Sequence, residues 1–383
     1  MTDVSATALN RATLARQHLL ERAALPPVAA IEAVAGLQAQ EAASPYIGLW
    51  TRLVGFEPSQ LDRAFAERNV VKGGLMRSTL HVVSARDYRH FLPALLPMLR
   101  SIRRQDRSER PSEAELARLS AVAAAFTAEP RTLTEVRAHL AEQGIDGRDP
   151  DEFVWWLRRN APFIHAPADD VPWSFGRRPR IVDAAAWLRD PAELPGEDDG
   201  LDHLVRRYLM AFGPATAADA SQWSGLAIGR LRPAILRLEA AGEVERLTDV
   251  GARALLDVVD GPRPPADTPA PPRLLPMWDN TLLAFADRTR IISDPDRAVV
   301  IARNGDTLPT FTVDGRVAGL WWAERDTPTA SPHIVLEPFR PIPVADRRAL
   351  EREGDALAAW IAPLEPTVYA RYRRTRARRP MPA

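Results

Sequence analysis

The chain of 383 residues contains no cysteine and a single lysine, Lys72. The absence of cysteine excludes disulfides, thiolate-bound zinc and iron–sulfur clusters. No stretch approaches the ~20 consecutive apolar residues of a membrane-spanning helix, and residues 1–5 lack the basic and apolar character that begins a signal peptide. We therefore expect a globular, cytoplasmic protein without membrane contact, and the composition of 46% hydrophobic and 26% charged residues is typical of this class.

The chain also lacks a net charge, because 50 basic side chains balance 50 acidic ones. No overall field therefore draws the protein to nucleic acid. Nearly all cations are arginines, which a GC-rich coding bias explains more simply than a phosphate-binding role. The seven histidines show no spacing typical of metal ligands, and neither a phosphate-binding glycine loop nor a nucleophile elbow is present. The sequence thus predicts no metal and no cofactor.

Helix and strand signals repeat in the same order along about two thirds of the chain. Three helices followed by a two-stranded hairpin, the order of a winged-helix module, are predicted three times. In the first module, helices are predicted at residues 6–22, 27–37, 46–53 and 58–68, and strands at 70–75 and 76–84. The predicted fold class is α+β, mostly α, with three tandem winged-helix domains at 1–110, 111–195 and 200–262.

Local signals place several boundaries in the later modules. Thr132 with Glu135 forms a capping box at a helix start, and Gly242 suits the end of the last helix of the third module. The wing strands of the second module are predicted at 163–165 and 173–175. Residues 261–272 hold six prolines and are predicted to be irregular.

Residues 273–383 are predicted to form a β-rich C-terminal region with a hairpin, a helix and a basic tail. Strands are predicted at 282–285, 291–292, 299–301, 310–313, 317–322 and 333–337, and a helix at 346–360. Asp314-Gly315 is the strongest hairpin signal of the chain. Six arginines between Arg371 and Arg379 form either a disordered basic arm or a solvated helix end.

Gln38-Ala39-Gln40, termed the glutamine segment below, lies between a predicted helix and Ser44-Pro45, which suit the start of another helix. In an extended segment, residues two apart project to the same side. We therefore expect the carboxamides of Gln38 and Gln40 to lie side by side. A carboxamide can hold a water through its oxygen and two N–H donors, but it cannot remove a proton. A substrate hydrolysed there must bring its own activation.

The chain resembles the AlkZ/YcaQ-like family of bacterial winged-helix DNA glycosylases. The resemblance rests on matching segments in the family's order: residues 9–17, 37–40, 44–46, 49–50, 76–81, 274–279, 282–283 and 287–290. It implies three tandem winged-helix domains with additional β elements that form a concave DNA-binding surface. AlkZ-like members carry Gln–apolar–Gln at the catalytic segment and YcaQ-like members carry Gln–apolar–Asp, so Gln40 places the chain on the AlkZ-like side.

The resemblance implies a monofunctional glycosylase that cleaves the N-glycosidic bond of N7-alkylated guanine and leaves an abasic site. The implied partner is double-stranded DNA carrying an alkylated purine, bound by a monomer. Some such enzymes unhook interstrand crosslinks and serve antibiotic self-resistance. N7-alkylation puts a positive charge on the purine, which makes it a good leaving group. This activation agrees with a site whose catalytic residues are Gln38 and Gln40.

Six further residues are candidate DNA contacts: Lys72, Arg77, Thr79, His81, Arg288 and Arg290. Arg77, Thr79 and His81 are predicted to alternate along a wing strand, either facing DNA or forming a solvent face. Arg288 and Arg290 are predicted either to be presented to DNA by a hairpin or to form a buried ion-pair corner with Asp279 and Asp287. Trp155-Trp156 with Arg158-Arg159 offers stacking, although core packing of one tryptophan is the simpler interpretation.

The alternative function is that of a winged-helix transcription regulator, or another DNA-binding protein, without catalysis. A dimeric regulator should carry a dimerisation helix with an apolar a/d seam and one recognition helix per chain, and neither stands out here. A further alternative is a family member that binds damaged DNA but has lost activity.

Overall fold

A computed structural model describes residues 4–102, 111–143, 150–160, 162–169, 171–176, 178–189 and 193–372. The protein is a mixed α/β structure in which helices predominate, which confirms the predicted class. One element order recurs: helix, short strand, helix, helix and hairpin, with a single bridge in place of the short strand in the third module. The short strand after each first helix was not predicted, because two residues give too little alternation to recognise.

In the first module, α2 ends at Ala33, four residues before the predicted end. Ala35 and Gly36 take left-handed φ values of 57° and 86°, so the chain leaves the helix and enters a strand. A Cβ on Gly36 would lie 2.7 Å from Val83 Cγ1, so the turn also requires the absence of a side chain. The elements are α1 (Ala6–Arg16), α2 (Pro27–Ala33), β1 (Leu37–Gln38), α3 (Ala43–Arg52), α4 (Pro58–Ala66), β2 (Val70–Gly74), β3 (Leu80–Ser84) and α5 (Ala85–Ser101).

In the second module, the predicted strand at 173–175 is wrong. Trp173 lies in a short 3-10 turn with φ 62°, and the partner of β5 is the segment from Arg180 to Asp183. The capping box of Thr132 and Glu135 is confirmed. The elements are α6 (Glu113–Phe126), β4 (Arg131–Thr132), α7 (Leu133–Glu142), α8 (Pro150–Asn160), β5 (Phe163–Ala166), β6 (Arg180–Asp183) and α9 (Ala184–Leu188).

In the third module, the helix end at Gly242 is confirmed. Gly242 has φ 72°, and the N–H groups of Gly242 and Glu243 return to the last helical carbonyls. Here the short strand is reduced to one bridge, between Ala215 and Leu256. The elements are α10 (Glu197–Phe212), α11 (Ala217–Ser224), α12 (Ile228–Ala240), β7 (Val244–Thr248) and β8 (Ala254–Val258).

The C-terminal region forms an antiparallel sheet in the order β12-β11-β10-β9. Asp314 and Gly315 both have positive φ and join β10 to β11, which confirms the predicted hairpin. The predicted strands at 282–285 and 299–301 are wrong, because short apolar runs fit buried helices equally well, and the predicted strand at 291–292 lies in a turn. The elements are β9 (Arg273–Leu275), α13 (Asn280–Leu283), α14 (Asp294–Val300), β10 (Thr310–Val313), β11 (Arg316–Glu324), β12 (His333–Pro338) and α15 (Val344–Ile361).

The first two wings join edge to edge. Their strands form one six-stranded sheet in the order β1-β3-β2-β5-β6-β4, in which Lys72 faces His165 and Gly73 faces Ile164 across β2 and β5. The sheet is therefore continuous across the predicted boundary at residue 110. This junction brings the second module next to the glutamine segment.

The C-terminal region packs against the first module and fixes its helices. Arg52 of α3 forms an ion pair with Asp279, and both side chains are fully buried. Asn280 donates hydrogen bonds to the carbonyl oxygens of Val34 and Gly36, at the turn that leads into β1. The backbone next to the glutamine segment is thus held by residues more than 240 positions away in sequence. Within the described residues, no helix is long and apolar enough to cross a membrane.

Candidate active site

The glutamine segment begins in the edge strand of the shared sheet: β1 ends at Gln38, Ala39 follows it, and Gln40 lies in a bend. Gln38 lies opposite His81 on β3, and the Ala39 N–H donates to the Leu80 carbonyl oxygen at 2.7 Å. Ala39 is fully buried in the core. Gln38 is also buried, at 5% exposed, whereas Gln40 is exposed, and the side-by-side placement of their carboxamides stays a prediction.

Hydrogen bonds fix the orientation of both carboxamides. Arg77 Nη2 donates to Gln38 Oε1 at 2.8 Å, and the Leu80 N–H donates to Gln40 Oε1 at 2.8 Å. Guanidinium and backbone N–H groups can only donate, so the amide oxygens must face them. The NH₂ groups are thereby directed elsewhere, and neither has a hydrogen-bond partner among the residues that the structure describes. The segment presents two fixed amide donors.

Arg77 does not lie on a strand. β2 ends at Gly74, and Arg77 and Ser78 occupy a 3-10 turn with φ values of 53° and 58°, so the predicted alternation of Arg77, Thr79 and His81 along one strand is wrong. Arg77 Nη1 donates to the Trp223 carbonyl oxygen at the end of α11. Burial and the nearby Arg288 lower the pKa of Arg77 to about 10. Arg77 thus connects the first wing, the glutamine segment and the third module.

Two predicted DNA contacts are contradicted by burial. Lys72 is 5% exposed, its ammonium lies 4.3 Å from the centroid of the Phe175 ring, and burial lowers its pKa to about 8. His81 is 1% exposed, and burial together with Arg77 lowers its pKa to about 3. Its neutral Nδ1–H donates to the Thr79 carbonyl oxygen at 3.0 Å. Neither side chain reaches the surface in this arrangement, so neither is placed to contact DNA.

Thr79 is half-buried and serves the turn. Its hydroxyl donates to the Met76 carbonyl oxygen at 3.1 Å, which closes the 3-10 turn that carries Arg77. A direct DNA contact of Thr79 stays a prediction.

The predicted hairpin around Arg288 and Arg290 is absent from the described segment 285–293, which consists of turns. Arg290 is buried over the Phe285 ring and donates to the Pro214 carbonyl oxygen at 2.9 Å, so it braces the third module and is not placed to contact DNA. Arg288 is half-buried and lies close enough to Arg77 to lower its pKa. Of the two arginines, Arg288 is the one beside the candidate site.

The predicted ion-pair corner is also wrong, because its members pair elsewhere. Asp279 binds Arg52 in the core, whereas Asp287 binds Arg253 near the surface. The two carboxylates therefore stabilise different interfaces.

A cavity of about 210 Å³, termed the wing cavity below, opens beside Gln40. The first wing contributes Gly74, Ser78 and Leu80 to its wall, and the second module contributes Trp155, Arg158, Phe163 and His165 among others. Burial, Lys72 and Arg158 lower the pKa of His165 to about 3, so this imidazole is neutral. The sequence did not place these residues beside Gln40, because the edge-to-edge pairing of two wings leaves no local signal.

The two adjacent tryptophans of α8 have different roles. Trp156 is 1% exposed and belongs to the core, whereas Trp155 lines the wing cavity. The Arg159 guanidinium lies 3.8 Å from the centroid of the Trp155 ring. The stacking interpretation thus fits Trp155 and the core interpretation fits Trp156.

The carboxylate that follows the glutamine segment is already engaged. Glu41 Oε1 accepts a hydrogen bond of 2.6 Å from the Tyr372 hydroxyl and forms an ion pair with Arg371. The predicted basic tail beyond residue 372 lies outside the described residues. Among the described residues, no group of three or more histidine, aspartate or glutamate side chains could hold a metal ion.

The model of the family described as "DNA glycosylase AlkZ-like" matches residues 31–360, which include the whole site. The chain belongs to this AlkZ-like DNA glycosylase family. The glutamine segment and its two bonded donors all lie within the matched range.

Two relatives add detail to the family assignment. An interstrand DNA cross-link repair glycosylase of Streptomyces sahachiroi is 25% identical over 180 residues, which are 46% of each chain. The aligned part thus spans about half the length of that relative. The solved structure of Streptomyces sahachiroi DNA glycosylase AlkZ superposes with a TM-score of 0.77 over 96% of this chain and 99% of that one, at 19% identity. This likeness shows that the AlkZ-like fold extends over nearly the whole chain.

Proposed function

We propose that this AlkZ-like protein is a monofunctional DNA glycosylase. It hydrolyses the N-glycosidic bond of cationic N7-alkylguanine in double-stranded DNA and leaves an abasic site. It acts as a cytoplasmic monomer and unhooks interstrand crosslinks formed through the same purine atom. A role in antibiotic self-resistance belongs to the same proposal.

The fixed orientation of the two amides carries this proposal. The amide oxygens of Gln38 and Gln40 accept hydrogen bonds from the Arg77 guanidinium and from the Leu80 N–H, and neither NH₂ group has a partner among the described residues. Such a pair can hold a water or a sugar oxygen in a defined place. Positioning of this kind lowers a barrier without any transfer of a proton to the protein.

The site offers little for general base catalysis, which favours a substrate that is already activated. Among the described residues beside the glutamine segment, His81 and His165 have pKa values of about 3 and Glu41 is paired with Tyr372. A useful base needs a pKa near the working pH. When the C1′–N9 bond of a cationic purine breaks, its electron pair neutralises the purine. Water then bonds to C1′ and loses its proton to solvent.

Cations near the segment fit a DNA substrate. Arg77, Arg288 and Arg158 lie on both sides of it, and no described carboxylate pairs with any of them. Phosphates of the DNA backbone are the natural counter-charges for such a surface.

The proposal is tested by base release from a duplex that carries one N7-methylguanine. We expect alkali to cleave the damaged strand after treatment with the wild-type protein, and not after treatment with a Gln38→Ala, Gln40→Ala double variant that still binds the duplex. Unchanged release by the double variant would place the chemistry elsewhere. Intact binding without release, here and with a duplex crosslinked through N7, would favour the alternative of a DNA-binding protein without catalysis.

A further inference from the structure

The wing cavity has two kinds of wall. Gln40 lies on one side, and the opposite side is formed by the end of α8 and by β5, which carry Arg158 and His165. Trp155 and Phe163 add aromatic surface. A ligand in this cavity can therefore reach one of the two proposed catalytic amides.

Arg158 brings a charge into this cavity that no described residue compensates. It has neither a hydrogen-bond nor an ion-pair partner in the described part of the chain, although the residue as a whole is exposed. Partial removal of water lowers the pKa of its guanidinium. Lys72 adds a second cation on the same side, since it helps to lower the pKa of His165. The cavity is thus suited to an anion.

The neighbouring Arg159 does not share this role. Its guanidinium covers the Trp155 ring, and its Nη1 donates to the Trp155 carbonyl oxygen at 3.2 Å. It therefore shapes the wall, whereas Arg158 is left to bind a ligand.

A cationic base does not fit this environment, because Arg158 and Lys72 would repel it. The negative charge of DNA lies on its backbone phosphates, and a guanidinium binds a phosphate through two parallel hydrogen bonds. We infer that the wing cavity binds the backbone phosphate beside the damaged nucleotide, with Arg158 as its partner, and leaves the alkylated base outside. This inference rests on the proposed function.

The bound phosphate has a role in the reaction. Among the described residues of the site, no free carboxylate faces the sugar, whereas the positive charge of an oxocarbenium-like sugar needs an anion nearby. A phosphate that flanks the damaged nucleotide is close to its C1′, and in the wing cavity it would lie next to Gln40. Trp155 and Phe163 make part of the cavity wall apolar, which strengthens the attraction between the phosphate and the sugar cation. The substrate thus supplies the counter-charge that the protein lacks.

The test uses the full-length protein with Arg158→Gln and Arg158→Lys, and with Arg348→Gln as a matched control. Arg348 is exposed on α15 and lines no part of the wing cavity, so its replacement removes the same charge elsewhere. Two quantities are measured: single-turnover release of N7-methylguanine, and binding of a duplex with an uncleavable tetrahydrofuran abasic analogue. Both are repeated with duplexes in which one phosphate flanking the lesion is a neutral methylphosphonate.

We expect Arg158→Gln to slow release by about ten- to a hundredfold, the cost of a lost charge-assisted hydrogen bond. Arg158→Lys should recover part of the loss, and Arg348→Gln should have little effect. One methylphosphonate position should slow the wild-type protein similarly and should slow Arg158→Gln no further, because both changes remove the same contact.

Equal effects of Arg158→Gln and Arg348→Gln would overturn the inference, and so would fully additive losses with every methylphosphonate. If the wild-type protein releases no base, the proposed function fails, but the binding measurements still decide whether Arg158 contacts one phosphate.

Discussion

Two turns of the molecule, Met76–Ser78 in the first wing and Pro172–Ser174 in the second, have the same backbone form. Each is a 3-10 turn whose last two residues are left-handed, with φ values of 53° and 58° at Arg77 and Ser78 and of 62° and 57° at Trp173 and Ser174. Left-handed geometry costs about 1–2 kcal/mol for each residue that is not glycine. Both turns must therefore be stabilised by contacts from outside the wing.

The contacts differ, and so do the roles of the turns. The Arg77 guanidinium donates hydrogen bonds to Gln38 and to the end of α11. Trp173 instead packs its ring 5.2 Å from the Tyr46 ring and donates its indole N–H to Glu365 at 2.8 Å. The same strained backbone thus positions a charge at the candidate site in one wing and anchors the core in the other. A left-handed turn alone does not identify a functional site; the side chain at its centre does.

The largest expected effect is on stability and belongs to the second turn. Trp173→Ala removes a ring that is 4% exposed, which should lower the free energy of unfolding by about 3–5 kcal/mol. Urea denaturation measures this change. Trp173→Phe keeps most of the ring and should lose much less. A small change in Trp173→Ala would mean that the second turn is not an anchor of the core.

The second largest expected effect is a loss of activity when the turn Met76–Ser78 is changed. Arg77→Gln should slow base release by about ten- to a hundredfold, because the bond that orients Gln38 carries a full charge. Arg77→Lys should rescue little, since one ammonium cannot reproduce a fork that spans Gln38 and Trp223.

A double variant separates positioning from a purely structural role. If Arg77 acts through Gln38, Arg77→Gln combined with Gln38→Ala should be hardly slower than Gln38→Ala alone. Losses that multiply would show that the two side chains act independently.

A third prediction concerns the neutral histidine next to the first turn. Between about pH 3 and 6.5, His81 is protonated in the unfolded chain and neutral in the folded chain. The contribution of His81 to the free energy of unfolding should therefore be complete above about pH 6.5. It should fall as the pH is lowered, by up to about 1.4 kcal/mol per pH unit. Unfolding at several pH values should show a shallower fall in His81→Gln. An identical slope would contradict the buried neutral state.

The smallest expected effect is a difference in stability between glycine variants of Ser78 and Ser174. Ser78→Gly should stabilise the protein by up to about 1 kcal/mol, because it relieves a left-handed residue whose side chain has no hydrogen-bond partner among the described residues. Ser174→Gly should not stabilise it, since the Ser174 hydroxyl donates to Asp62 at 2.5 Å. Thermal unfolding of the two variants measures the difference. Equal gains would show that the Asp62 contact contributes nothing.

Helix caps and turns that depend on local signals could be predicted from the sequence. The capping box at Thr132, the glycine at 242 and the Asp314-Gly315 turn each act within a few residues, and the structure confirms all three. The extended backbone at Gln38 was also expected from the spacing of the glutamine segment. Its strand partner was not, because β3 lies 40 residues further on.

Features that depend on tertiary contacts could not be predicted correctly from the sequence. The apolar runs at 282–285 and 299–301 favour strands by their composition. In the structure, however, Asp279 caps the helix α13 and Ser293 caps the helix α14. Lys72 and His81 were expected at a surface, but both side chains are buried, and Phe175 of the second module covers Lys72. The wing cavity could not be predicted at all, because it exists only where two modules meet.

The contact between Tyr372 and Glu41 has a practical consequence for anyone who labels the protein. The Tyr372 hydroxyl binds Glu41, the residue that directly follows Gln40. A fluorophore attached at Arg371 or Tyr372 would therefore lie close to the proposed catalytic amides. Val4 instead pairs with Asp249 of the third module. A label at position 4 is thus the one to choose for binding assays.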